Sequence, residues 1–123
     1  MRDPETVVRD FCAAWSRRDI GELLGYFTDD AVYHNMPLAP VSGKDGIREV
    51  LNLFVPPAET IEFEMLKVAA RGDVVFTERV DRFTMAGRKI ELPVAGVFEV
   101  RDGKIAAWRD YFDFGAWQRQ SSS

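Results

Sequence analysis

Only one cysteine, Cys12, and one histidine, His34, occur among the 123 residues. An internal disulfide is therefore excluded, and there is no Cys/His set for a structural or catalytic zinc. The chain also lacks any apolar run long enough to cross a bilayer, and its start, Met1-Arg2-Asp3-Pro4-Glu5, has no uninterrupted hydrophobic segment of the signal-peptide kind. A cytoplasmic location without membrane insertion is the default expectation. Positive charge is scarce: 16 Lys and Arg against 20 Asp and Glu leave a formal net charge of −4. That balance argues against nucleic acid or an anionic membrane as partner and leaves a small molecule or a protein. No internal repeat, low-complexity tract or linker divides the sequence. What is there is 46% hydrophobic and 12% aromatic, ample for one packed core. We expect a single domain over residues 1–120, with Ser121-Ser122-Ser123 as a disordered tail.

Asp3 and Pro4 read as the N-cap and first residue of a helix whose apolar positions are Val7, Val8, Phe11, Cys12 and Trp15. Ile20, Leu23, Leu24 and Phe27 predict a short second helix ending at Thr28-Asp29-Asp30, followed by a short extended segment from Ala31 to Met36. Ile47, Val50, Leu51 and Phe54 have the spacing of a third helix, which Val55-Pro56-Pro57 stops. From Thr60 the period changes to two. Strands are predicted from there to a turn at Arg71-Gly72-Asp73, then over Val74 to Met85, Lys89 to Val100 and Ile105 to Asp113. Helices first and an antiparallel meander second make an α+β domain, with the sheet curled around the helices and a pocket on its concave side. Pro93 inside a strand requires a local edge or a bulge.

Residues two apart on a strand share a face. Arg79 and Asp81 thus fall on one stripe with Val75, Thr77 and Phe83, Tyr33 shares a face with Asn35, and Asp110 sits among Ala106, Trp108, Phe112 and Phe114. Burying such charges costs several kcal/mol unless they are paired and hydrogen-bonded. If the three stripes line one cavity, Asp81, Arg79 and Asp110 form a row of carboxylate, guanidinium and carboxylate. Attraction to the cation favours ionisation, while mutual repulsion and desolvation resist a second negative charge, so one proton is shared among the three groups. Such a row can donate a proton on one side of a substrate and take one from water on the other. Tyr33 and Asn35 supply an oxygen and an amide that can hold the water. Alternation leaves open which face is inward: Arg79 and Asp81 could equally be a structural or solvent-facing ion pair. The opposite stripe, Val74, Phe76, Glu78, Val80 and Arg82, could be the core face or a subunit interface. His34 points away from its neighbours Tyr33 and Asn35 and is read as exposed or at an interface, and Cys12 as a small core or pocket residue.

Three segments, Tyr33-His34-Asn35-Met36-Pro37-Leu38, Glu78-Arg79-Val80-Asp81 and Trp108-Arg109-Asp110-Tyr111-Phe112, occur in that order. Together they resemble the limonene-1,2-epoxide hydrolases, within the wider NTF2-like and SnoaL-like group of cone-shaped folds that includes ketosteroid isomerase. The resemblance covers most of the chain. It implies a strongly curved, mostly antiparallel sheet wrapped around N-terminal helices, with a deep internal pocket and a homodimeric assembly. It also implies one-step hydrolysis of a small hydrophobic epoxide to a vicinal diol, with no covalent intermediate and no metal or organic cofactor. Asp110, Tyr33 and Asn35 resemble the residues that hold the water, with Asp110 taking its proton. Asp81 resembles the acid that protonates the epoxide oxygen, and Arg79 the bridge between the acids. A hydrophobic substrate needs an apolar wall, for which Trp15, Phe54, Phe63, Phe83, Trp108 and Phe112 are the candidates. Relative to the limonene enzyme, the resemblance leaves this chain without an N-terminal arm, which bears on how one pocket end closes and on subunit contacts. Two other readings stay in view. One is a proton-transfer isomerase or polyketide-type cyclase of the same cone. The other is a non-catalytic ligand-binding or dimerisation module, in which the polar set is expected to be broken.

Overall fold

The Asp3 carboxylate accepts a hydrogen bond from the Thr6 N–H at 2.9 Å, and Pro4 takes the first helical position, so α1 (Pro4–Ala14) starts where its sequence signals lie. The computed structural model describes residues 2–122. After α1 come a 3₁₀ turn (Trp15–Arg17), α2 (Ile20–Leu24), β1 (Phe27–Asn35), β2 (Val41–Ser42) and α3 (Gly43–Phe54). The second half is β3 (Ala58–Arg71), β4 (Val74–Met85), β5 (Arg88–Arg101), β6 (Lys104–Tyr111) and α4 (Phe114–Ser121). One six-stranded sheet runs in the order β2-β1-β6-β5-β4-β3. The expected meander is β3 to β6; β1 then joins β6 in parallel, so the sheet is mixed.

Three boundaries differ from expectation. Phe27 opens β1 rather than closing α2, because it pairs with Ile105 in the parallel ladder. The polar run after it is held in the strand's path by Asp30, which accepts from Thr28 at 2.9 Å and Arg101 at 2.6 Å. The last strand stops at Tyr111, not Asp113, and Asp113 instead caps a fourth helix by accepting from the Gly115 N–H at 2.9 Å. Ser121 belongs to that helix, so of the expected tail only Ser122 follows it, and Ser123 lies outside the described residues.

Pro93 pairs with Val80 without a bulge. Its position is a local edge, because β6 pairs with β5 only from Ala95 onward. Two residues earlier, the Glu91 N–H and C=O are taken by Gln120 of α4, at 2.7 and 2.9 Å.

The open question of which face is inward resolves in one direction. Val75, Thr77, Arg79, Asp81 and Phe83 are all buried, whereas Phe76 and Glu78 are exposed and Val74, Val80 and Arg82 half-buried. On the inner side α1 lies across β3 to β6. Phe11 is its centre, meeting the rings of Trp15, Tyr26, Phe27, Phe98 and Trp108 edge-on at centroid distances of 5.0–6.1 Å. This packing covers one end of the concave face and leaves the charged row beside it.

Candidate active site

Arg79 is fully buried, and all five of its N–H donors are used. Nε and Nη2 donate to Asp81 Oδ1 and Oδ2 at 2.9 and 2.8 Å. Nη2 and Nη1 donate to Asp110 Oδ2 and Oδ1 at 2.8 and 3.2 Å, and the remaining Nη1 hydrogen reaches Thr77 Oγ1 at 3.1 Å. Each acid therefore receives a two-bond fork, the geometry in which a guanidinium matches a carboxylate. The aromatic faces of Phe63, Phe98 and Trp108 lie 5.0–6.0 Å from the guanidinium carbon and cushion the charge.

The row is built from strand register. Arg79 and Asp81 share a face of β4, and Asp110 on β6 arrives two strands away because Gly96 of the intervening β5 lies opposite both Thr77 and Asp110. A Cβ on Gly96 would fall 2.7 Å from Asp110 Oδ1 and 2.9 Å from Thr77 Oγ1, and would also run into Arg79 Nη1. Glycine is there to leave room for the row. Thr77 is locked in turn by donating to the Gly96 carbonyl at 3.3 Å.

On the other side, β1 brings Asn35 opposite Asp110 in the parallel ladder, and the Tyr33 hydroxyl donates to Asn35 Oδ1 at 3.2 Å. The Tyr33 ring stacks on Trp108 at 4.2 Å and 7°. Trp108 Nε1 donates to Asp110 Oδ1 at 2.6 Å. The five predicted polar residues are thus all buried and lie in one cluster.

Burial disfavours charge here, and the acids respond. Burial pushes the Asp81 carboxyl up to about 6, outweighing the pull of Arg79, and the Asp110 charge adds to the upward push. Burial acts to lower Arg79, but Asp110 and Asp81 hold its guanidinium well above its ordinary value. Burial and Asp110 raise the Tyr33 hydroxyl, which stays protonated. The Cys12 thiol is pushed up to about 12 by burial and is an inert core group. His34 is half-buried and contacts the Leu38 carbonyl at 2.9 Å, away from the row. Among the described residues, no three or more His, Cys, Asp or Glu side chains gather as a metal site.

Tyr33, Asn35, Asp81 and Asp110 face a cavity with about 50 Å³ of space for water-sized occupants. Of the six predicted wall residues, Trp15, Phe54, Phe63, Phe83 and Phe112 line it. Trp108 does not: it sits behind the wall, fully buried, as the donor to Asp110. Phe114, which shares the Asp110 stripe, also lines the cavity, and so do Leu38, Leu92, Val94 and Trp117, which the sequence did not single out. Leu92 and Val94 follow from the same period-two rule applied to β5, and Asp113 as an N-cap is the signal for the helix that carries Phe114 and Trp117.

Comparison with known proteins finds relatives over nearly the whole chain. The family model for the limonene-1,2-epoxide hydrolase catalytic domain matches residues 2–121. Epoxide hydrolase EphG of Mycobacterium tuberculosis is 33% identical over 108 residues, covering 86% of this chain and 70% of its own. The solved structure of an M. tuberculosis LEH-like epoxide hydrolase superimposes with a TM-score of 0.81 at 30% identity, over 94% of this chain and 89% of that one. An NTF2-like protein of unknown function from Burkholderia pseudomallei superimposes over 100% of both chains with a TM-score of 0.86. At 18% identity it speaks for the fold alone.

Proposed function

We propose that this chain, which belongs to the limonene-1,2-epoxide hydrolase family, adds water to a lipophilic epoxide in one step and releases a vicinal diol. The observation that carries the proposal is the double fork of Arg79, which holds Asp81 and Asp110 on one buried cation. The row is neutral when it keeps one proton, and Asp81, pushed up to about 6, is the acid that keeps it.

The hydrogen bond from Tyr33 to Asn35 Oδ1 leaves the Asn35 amide hydrogens and the Tyr33 oxygen lone pairs available. A water held there accepts from Asn35 and donates to Asp110, so its remaining lone pair is free to attack. As its oxygen bonds to an epoxide carbon, its O–H bond breaks toward Asp110. The ring C–O bond opens, and the Asp81 proton passes to the departing oxygen. The step leaves Asp110 protonated and Asp81 ionised; returning one proton to Asp81 resets the row. Each proton transfer is worth roughly 10²–10⁴ in rate. The aromatic wall suits a hydrophobic substrate. No metal or organic cofactor enters the scheme.

A cytoplasmic homodimer is part of the proposal. In support, Leu66, Phe76 and Tyr111 are exposed apolar groups on the sheet, and among the described residues no helix is long and apolar enough to cross a membrane. The catalytic reading is tested with a panel of terpene, fatty-acid and sterol epoxides assayed by product mass in oxygen-18-labelled water. Labelled diol is expected. A product of unchanged mass would point to an isomerase, and binding without turnover to a non-catalytic module.

A further inference from the structure

Arg79 holds its two acids alike, with two hydrogen bonds to each, and both acids are 4% exposed. Neither the cation nor burial therefore tells Asp81 from Asp110. One contact does. Trp108 Nε1 donates to Asp110 Oδ1 at 2.6 Å, and among the described residues it is the one donor other than Arg79 that reaches either carboxylate. The indole cannot swing away. It is stacked between its ladder partners, Tyr33 of β1 at 4.2 Å and 7° and Phe98 of β5 at 5.4 Å and 15°, and Phe11 meets it edge-on at 5.0 Å. A phenylalanine ring could stack in the same place, so only the N–H calls for tryptophan. An indole N–H donates and never accepts, and its bond to an ionised oxygen is roughly twice as strong as to a neutral one.

We propose that Trp108 is the positioning residue that separates the roles of the two acids, fixing Asp110 as the base and leaving the shared proton to Asp81. The inference rests on the epoxide-hydrolase reading above. A donor stabilises the ionised form of the acid that receives it, and Asp110 receives one more than Asp81. Its Oδ1 then accepts from both Arg79 and Trp108, while Oδ2 accepts only from Arg79 and keeps a lone pair for the proton taken from water. Trp108 is fully buried and lies outside the cavity lining, so it acts through Asp110 and not on the substrate. The titratable groups that share the row's surroundings are Cys12 on α1 and Tyr33 on β1. Burial holds both neutral, so neither competes for that proton.

The test uses Trp108→Phe and a second protein in which Trp108 is replaced by benzothienylalanine, isosteric with tryptophan but with sulfur in place of the N–H. The isostere keeps the test available where the smaller phenylalanine unfolds the core. Each is assayed on the terpene, fatty-acid or sterol epoxide that wild-type protein opens fastest. Removing a hydrogen bond to a charged group should lower kcat by about 10- to 100-fold with KM unchanged. The acid limb of the kcat profile should also move up by about 1–2 pH units. A loss of packing alone would lower activity without moving that limb. An unmoved limb in the folded benzothienylalanine protein, or wild-type kcat, would overturn the proposal. A second readout needs no turnover: carbon-13 shifts of labelled aspartate carboxyls show which acid carries the proton while the row holds one. It should sit on Asp81 in wild-type protein and move toward Asp110 in both variants. A proton that stays on Asp81 without the N–H would sink the idea. If wild-type protein opens none of the epoxides, the catalytic reading fails, and the carboxyl shifts still decide whether Trp108 places the proton.

Discussion

Gly96 lies opposite Asp110 in the β5–β6 ladder, and a methyl group added to it would fall 2.7 Å from Asp110 Oδ1. The acid's position thus depends on an absent side chain one strand away. Gly96→Ala should force the row apart, destabilise the fold by about 1–3 kcal/mol through overpacking and slow turnover by about 10²-fold through misplacement of Asp110 and Arg79. Melting temperature and kcat/KM on the same sample check this. Wild-type turnover in Gly96→Ala would show that the row tolerates displacement.

Asp81→Asn and Asp110→Asn each keep a side-chain oxygen for Arg79 but remove one proton-transfer role. Each variant should lose roughly 10²–10⁴ in diol formation while retaining the wild-type circular dichroism spectrum. Substantial hydrolysis by either would contradict the assigned roles.

Arg79→Leu should be costlier for folding than either aspartate change. It leaves two buried acids without their cation, which costs about 3–5 kcal/mol, and denaturant unfolding measures the loss. A near-neutral effect would mean that the two forks contribute nothing to holding the acids.

The Asp81 carboxyl titrates at about 6 in the fold, above its ordinary 3.8. Because the folded value is raised, the stability that its proton contributes is complete below the unfolded value and is lost as pH rises through about 6. Wild-type stability should therefore decline over that window relative to Asp81→Asn, which has no proton to lose. A general acid must carry its proton, so turnover should also fall along an alkaline limb centred near 6. Unfolding free energy and kcat measured across this range check both, and flat profiles through neutral pH would contradict them.

Tyr33→Phe preserves the stack on Trp108 but removes the hydroxyl that meets Asn35. Turnover should drop about 10-fold or more with KM little changed, since the hydroxyl serves the water and not the substrate. A rise in KM at constant kcat would move Tyr33 to substrate binding.

Period-two alternation on β4 was enough to put Arg79 and Asp81 on one face, because side-chain direction along a strand is local geometry. It could not say that this face is inward, since Phe76 and Val80 make the other stripe apolar too; α1 packing on the inner side decides that. Nor could it show that Trp108 turns its indole toward Asp110 instead of the cavity, which depends on its stacking between Tyr33 and Phe98. The parallel pairing of β1 with β6, which brings Asn35 opposite Asp110, joins segments some seventy-five residues apart and leaves no local trace. Helix α4 was missed because Phe112 and Phe114 extend the strand's alternation past Tyr111, while the capping Asp113 between them marks the real break.

The central claim is direct attack by a water that Asp110 deprotonates, and single-turnover hydrolysis in oxygen-18-labelled water tests it most directly. With enzyme in excess over epoxide, the diol from the first turnover should carry one labelled oxygen and Asp110 none. An unlabelled first-turnover diol, its oxygen drawn from a carboxylate of the protein, would contradict the account.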